Sequence, residues 1–130
     1  EEMEFPQEKV DAVCYAISVH RYSTGIVPET LEAKILQDAD RLDALGAIIV
    51  GRVFEFSGKM GRQGYDPNDD LEAKYNTNSG HSSIAHFHRK ILKITPDKFF
   101  TQKAREIAAG RYKVVKDFVE EYIKEWRGEA

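Results

Sequence analysis

The stretch Asp38-Ala39-Asp40-Arg41-Leu42-Asp43-Ala44-Leu45-Gly46 sets three carboxylates and an arginine directly before one of the most apolar runs in the chain. A helix over residues 38 to 57 would align Leu42, Leu45, Gly46, Ile49, Val53 and Phe56 in one stripe. Ala44, Ala47, Ile48 and Phe54 would make much of the remaining circumference apolar as well. A helix apolar nearly all round is a buried helix, so the pattern predicts neighbours on every side of it. Asp40 and Asp43, three residues apart, would share one face of its first turn. Carboxylates at the edge of a core need a cation, a helix end or hydrogen-bond donors. Metal binding and simple capping of the helix by Asp38 or Asp40 account for them equally well.

The rest of the chain supplies the surrounding helices. Pro6 suits a first helical position, and Val10, Val13, Cys14 and Ile17 follow at helical spacing, giving an amphipathic helix over residues 6 to 21. His20 and Arg21 fall at its end, where cations suit the dipole. Tyr22 to Thr30 reads as a loop, and Leu31 to Leu36 as a short helix or turn. Residues 57 to 81 carry glycines, a proline and several Asn and Asp with little periodicity. This is a long loop, expected either to cover a site or to be a surface insert. Ser82 or Ser83 caps a helix reaching about Ile94, with Ile84, Phe87, His88, Ile91 and Leu92 facing the core and His86 and Lys90 on another face. Pro96 or Thr101 starts a last long helix, whose apolar stripe is interrupted by Arg111. Strand-type alternation is absent, so the expected fold is all-α.

Composition narrows the function classes. The 130 residues, 42% hydrophobic, fit one globular domain with a modest core. With 19 Lys and Arg against 22 Asp and Glu, the formal charge of −3 argues against general nucleic-acid or membrane-surface binding. The single cysteine, Cys14, excludes an intrachain disulfide framework and a multi-cysteine zinc site and fits a reducing cytoplasm. Its place on an apolar face makes it a core residue by pattern. No signal peptide and no apolar run of spanning length are present.

Three features share one chemistry: the acidic cluster, the His86 and Lys90 pair, and Arg111. Carboxylates and imidazole suit a divalent cation, while Lys and Arg suit phosphate oxygens. Taken singly, each histidine or arginine also fits a structural hydrogen-bonding or snorkelling role. His81, His86 and His88 do not read as a zinc cluster, because His86 and His88, two apart on a helix, point in divergent directions. No Gly-x-x-x-x-Gly-Lys loop or Gly-x-Ser-x-Gly elbow is present.

The segment Ile35 to Gly46 closely resembles the distal-aspartate motif of the HD-domain phosphohydrolases. Ile17 to Ser23, Ser83 to Leu92, Thr101 through Ala108 to Arg111, and Glu125-Trp126 resemble later parts of the small single-domain HD hydrolases. The resemblance implies an all-α, HD-domain-like helical bundle and hydrolysis of a phosphate ester or anhydride by a metal-activated water. Its nearest subgroup implies nucleotide pyrophosphohydrolase activity. It implies a divalent cofactor, Mn²⁺ or Mg²⁺ first and Fe²⁺ or Zn²⁺ next, with Asp40 as catalytic metal ligand. The substrate-facing positions it implies are His20, Arg41, Asp43, His86, Lys90 and Arg111. The family also uses an early histidine and an adjacent His-Asp pair, and this sequence has no His-Asp dipeptide. Those motifs would fall before Glu1, so the expectation is the C-terminal part of an HD domain, inactive alone. The expected ligand is a small phosphorylated molecule such as a nucleotide, in the cytoplasm, with homo-oligomerisation left open. The alternative is a non-catalytic helical module that binds a partner or nucleotide.

Overall fold

The computed structural model describes residues 5–76, 78 and 80–129. Residues 77 and 79 of the expected loop lie outside that range. Among the described residues, five α-helices carry the fold: α1 (Gln7–Ser18), α2 (Leu31–Leu42), α3 (Ala47–Lys59), α4 (Ser83–Arg89) and α5 (Gln102–Arg127). Short 3-10 turns lie at Tyr22–Thr24, Ile91–Lys93 and Pro96–Lys98. The described residues contain no strand, and no helix among them is long and apolar enough to cross a membrane. The fold is all-α, as the periodicity predicts.

Three helix starts follow the side-chain capping rule. Thr30 accepts from the Ala33 amide at 3.3 Å, Ser82 from Ala85 at 3.2 Å, and Thr101 from Ala104 at 3.3 Å. Of the two expected starts for the last helix, Thr101 is the cap, and Pro96 opens a separate 3-10 turn. The 26 residues of α5 make a rod of about 39 Å. Ala104, Ala108, Val115 and Val119 form its buried stripe. Against it pack Ile49 and Val53 of α3, Ile84 and Phe87 of α4, and Ile91, Ile94 and Phe99 beyond. Phe54, Phe87, Phe118 and Tyr122 interlock there, with Phe54 edge-on to Phe118 at 5.8 Å. A smaller cluster of Ala16, Val19 and Ala33 joins α1 to α2.

Several expectations are corrected. Residues 38 to 57 form two helices rather than one. The chain turns at residues 43 to 46, where Gly46 takes φ 96°. A Cβ there would stand 3.2 Å from Arg111 Cγ, so the position excludes side chains by both conformation and space. The acidic residues therefore close α2 instead of opening α3, and neither Asp38 nor Asp40 is a helix N-cap. The short helix expected over Leu31 to Leu36 runs on to Leu42. α3 is not buried all round: Ile48 is 74% and Phe56 53% exposed. Cys14 lies on the exposed side of α1 and is not a core residue. Arg111 is likewise exposed, because its guanidinium reaches back to the end of α2 instead of into the core. The helix opened by Ser82 ends at Arg89, well short of Ile94.

The loop after α3 begins only at Met60, and it is pinned to the body. Ser83 and Ile84 amides donate to the Gln63 and Gly64 carbonyls at 3.0 Å each. Asp69 accepts from the Ser82 amide at 2.9 Å, and Arg89 Nε donates to the Asp70 carbonyl at 2.8 Å. Tyr65 is buried edge-on to Trp126. Many of the loop's polar groups go to local turns and to α4, which is why the loop needs no helix or strand of its own.

Candidate functional site

A cavity of about 550 Å³ opens between α3 and the α4 region. The α3 side presents Arg52, Glu55, Phe56 and Lys59, at i, i+3, i+4 and i+7 and hence on one stripe, above the more buried Ile49 and Val53. The opposite side presents His86 from α4, Lys90 from its C-cap and Tyr75 from the loop. Lys90 Nζ stands 4.8 Å from the centre of the Tyr75 ring, and the same ring lies edge-on to His86 at 5.1 Å. Arg52 is oriented by Asp43 across the α2 to α3 turn, Nη1 to Oδ2 2.7 Å. Both of these side chains are more than half exposed, so the pair contributes little to stability.

Behind His86 lies the buried His81, with its Nε2 at 3.5 Å from His86 Nδ1 and the two rings within 22° of parallel. Burial, then the positive charges of Lys90, His81 and Arg62, pull the His86 imidazole down to about 4. It is neutral at pH 7 and can present one ring nitrogen as a donor. Burial pushes the Tyr75 phenol up, so it stays protonated. A consequence is measurable. The unfolded chain takes up this proton near the ordinary histidine value, about 6.5, whereas the folded chain resists it down to about 4. The stability His86 permits is complete above pH 6.5 and declines as pH falls toward 4. In urea titrations at pH 7.5 and pH 5, His86→Gln should show a smaller loss between the two than the parent chain. Equal losses would mean that His86 does not carry the effect.

The other expected site residues are dispersed. Asp40 is exposed on the last turn of α2 and does not line the cavity. No group of three or more His, Cys, Asp or Glu that could hold a metal ion exists among the described residues. A lone carboxylate leaves most of a divalent ion's coordination shell to water, so among the described residues Asp40 does not by itself make a tight metal site. Arg41 is buried: Nη1 donates to the Lys98 carbonyl, Nη2 to Gln37 Oε1 at 2.8 Å, and the guanidinium lies 3.8 Å over the Tyr22 ring. Gln37 in turn donates to the Val19 carbonyl at 2.9 Å and the Ile26 carbonyl at 3.2 Å. Arg41 therefore ties α2 to its surroundings. His20 Nδ1 lies 2.5 Å from the Ile17 carbonyl at the end of α1. Arg111 Nη1 donates to the Leu42 carbonyl at 2.9 Å and, with Asp43, borders a separate cavity of about 270 Å³. Of the six substrate positions, His86 and Lys90 meet in one cavity, and Asp43 reaches it through Arg52.

Arg52, Phe56, Lys59 and Tyr75 escape the sequence reading. Arg52 had a signal, being the lone cation in the run Ala47 to Phe54. Tyr75 had none, because the loop that delivers it has no period.

No family model matches the chain. Over 101 residues, 78% of its length, it is 36% identical to the uncharacterized protein YpgQ of Bacillus subtilis, of which it spans 43%. The crystal structure of an HD-superfamily hydrolase from Bacillus thuringiensis superposes with a TM-score of 0.76 and 33% identity, over 97% of this chain and 57% of that one. The chain belongs to the HD superfamily. It also matches the crystal structure of Bacillus subtilis YpgQ in complex with ADP, at a TM-score of 0.69 and 32% identity, covering 93% of this chain and 54% of that one. The chain thus spans about half the length of the relatives it matches.

Proposed function

We propose that this HD-superfamily chain forms the phosphate-recognition side of a phosphohydrolase acting on a phosphate ester or anhydride, with a nucleotide as substrate and pyrophosphate release as the reaction type. The observation that carries the reading is the meeting of Lys90, Arg52, Lys59 and a neutral His86 on one cavity, three cations against the carboxylate of Glu55. Lys90 and Arg52 supply charge-assisted hydrogen bonds to phosphoryl oxygens, and His86 supplies a neutral one. Membership of the HD superfamily and the ADP complex of YpgQ support a nucleotide in such a cavity. Asp40 would serve as one ligand of a Mn²⁺ or Mg²⁺ ion only together with ligands that this sequence does not contain. When bound, such an ion supplies an activated water.

The absence of a three-ligand group among the described residues favours a second reading, a module that binds a nucleotide without turnover. One experiment separates the two. The full-length protein with Mn²⁺ or Mg²⁺ is incubated with a broad nucleotide panel, and released phosphate and pyrophosphate are quantified alongside binding of ADP and pyrophosphate. Release that falls about tenfold or more in Lys90→Ala, as expected for losing a contact to a charged group, supports the hydrolase. Binding without release supports the module. Neither binding nor release overturns both.

A further inference from the structure

We infer that Phe56 is the base-stacking residue of this cavity, so that the site distinguishes a nucleotide from a bare phosphate or pyrophosphate. The inference rests on the phosphate reading of the same cavity and adds the recognition of the organic half of the ligand.

A Phe on a helix of a small domain is ordinarily buried, yet Phe56 is 53% exposed and stands on the cavity wall. Two residues earlier, Phe54 is packed against Phe87, Phe118 and Tyr122, so α3 has already committed its other aromatic to the core. Phe56 is flanked on its own stripe by Arg52 four residues before and Lys59 three after, and all three line the same cavity. Two cations and an aromatic on one stripe, with the carboxylate of Glu55 beside them, match a ligand with a flat apolar part joined to an anionic part. The Arg62 guanidinium lies 5.7 Å over the Phe56 ring, which steadies the ring as a platform. The second aromatic of the cavity, Tyr75, is differently engaged: its ring packs edge-on to His81 and His86 and carries Lys90 above it. Phe56 also carries a cation, Arg62, but it is exposed where Tyr75 is half-buried between two imidazoles, so it is the more open aromatic of the cavity. A base stacks on an aromatic face regardless of its identity, so the platform predicts affinity for nucleotides with little choice among bases.

The test separates the two halves of the ligand. Dissociation constants for ADP and for pyrophosphate are measured by calorimetry on the full-length protein and its Phe56→Ala and Phe56→Trp variants, with thermal melts checking that each is folded. Phe56→Ala is expected to weaken ADP about tenfold, within the range known for loss of a base–aromatic stack, and to leave pyrophosphate within twofold. Phe56→Trp should keep ADP at or near the parent affinity. Unchanged ADP affinity in Phe56→Ala overturns the platform while leaving the phosphate reading intact. Equal weakening of ADP and pyrophosphate also overturns it, because the effect would then be structural. If the parent protein binds neither ligand, the phosphate reading falls and the platform falls with it.

Discussion

Replacing Asp38 by alanine is expected to destabilise the protein by about 3 kcal/mol, through the orphaning of buried donors, and to lower Tm by about 10 °C for a domain of this size. Asp38 is 2% exposed and accepts three hydrogen bonds, from the Phe100 amide at 2.9 Å, the Thr101 amide at 2.8 Å and Thr101 Oγ1 at 2.9 Å. Thr101 is the N-cap of α5, so this carboxylate holds the start of the longest helix onto α2. Alanine would leave two amides and a hydroxyl partly buried without their partner. Asn is the informative second variant: it retains one acceptor oxygen but turns an NH₂ toward an N–H donor, and should fall between parent and alanine. Chemical denaturation measures all three, and an Asp38→Ala midpoint equal to that of the parent would sink the account.

Two residues along, Asp40→Ala should do the reverse. In the full-length protein it should lower metal-dependent phosphate release more than about 100-fold. That is the upper end of what mutating residues behind a metal's direct ligands costs, and a direct ligand should cost more. Its Tm should stay within about 2 °C, because the side chain is exposed and bonds to nothing that holds the fold. Turnover and bound metal are measured on the same preparation. If both are unchanged, Asp40 is not a ligand and the metal assignment fails.

This contrast shows what the sequence could and could not display. The acidic stretch announces itself as charge beside core, but the spacing of Asp38, Asp40 and Asp43 cannot say which one turns inward. That depends on Thr101, more than sixty positions away, whose cap geometry brings its amide and its hydroxyl to Asp38. The starts of α4 and α5 were legible because Ser82 and Thr101 are local signals, whereas Thr30, the cap of α2, was passed over as the end of a loop. The break at Gly46 was also local, a glycine following the end of an amphipathic run. It was outweighed by the uniform hydrophobicity on its far side, which continues the helical period without a visible seam. Arg41 and Arg111 read as substrate-facing through the family resemblance, and Arg111 also because it breaks an apolar stripe. In the fold their planar heads serve backbone carbonyls of Lys98 and Leu42. His86 and Lys90 share a face by spacing alone, whereas their meeting with Arg52 across the cavity depends on packing of α3 against α4 and was not readable.

The start of α4 bears on how any anion could be held. Its four leading amides are all taken: Ser83 and Ile84 donate to loop carbonyls, Ala85 to Ser82 Oγ, and His86 to the Ser82 carbonyl. No rigid backbone donor from this helix end is left to turn toward the cavity. The attraction there comes from side-chain cations such as Arg52 and Lys90, which solvent reaches. Charges so placed act through a Debye length of about 10 Å at 0.1 M salt and about 3 Å at 1 M. Ionic strength, more than helix polarity, would therefore set the grip of this cavity on the proposed phosphate.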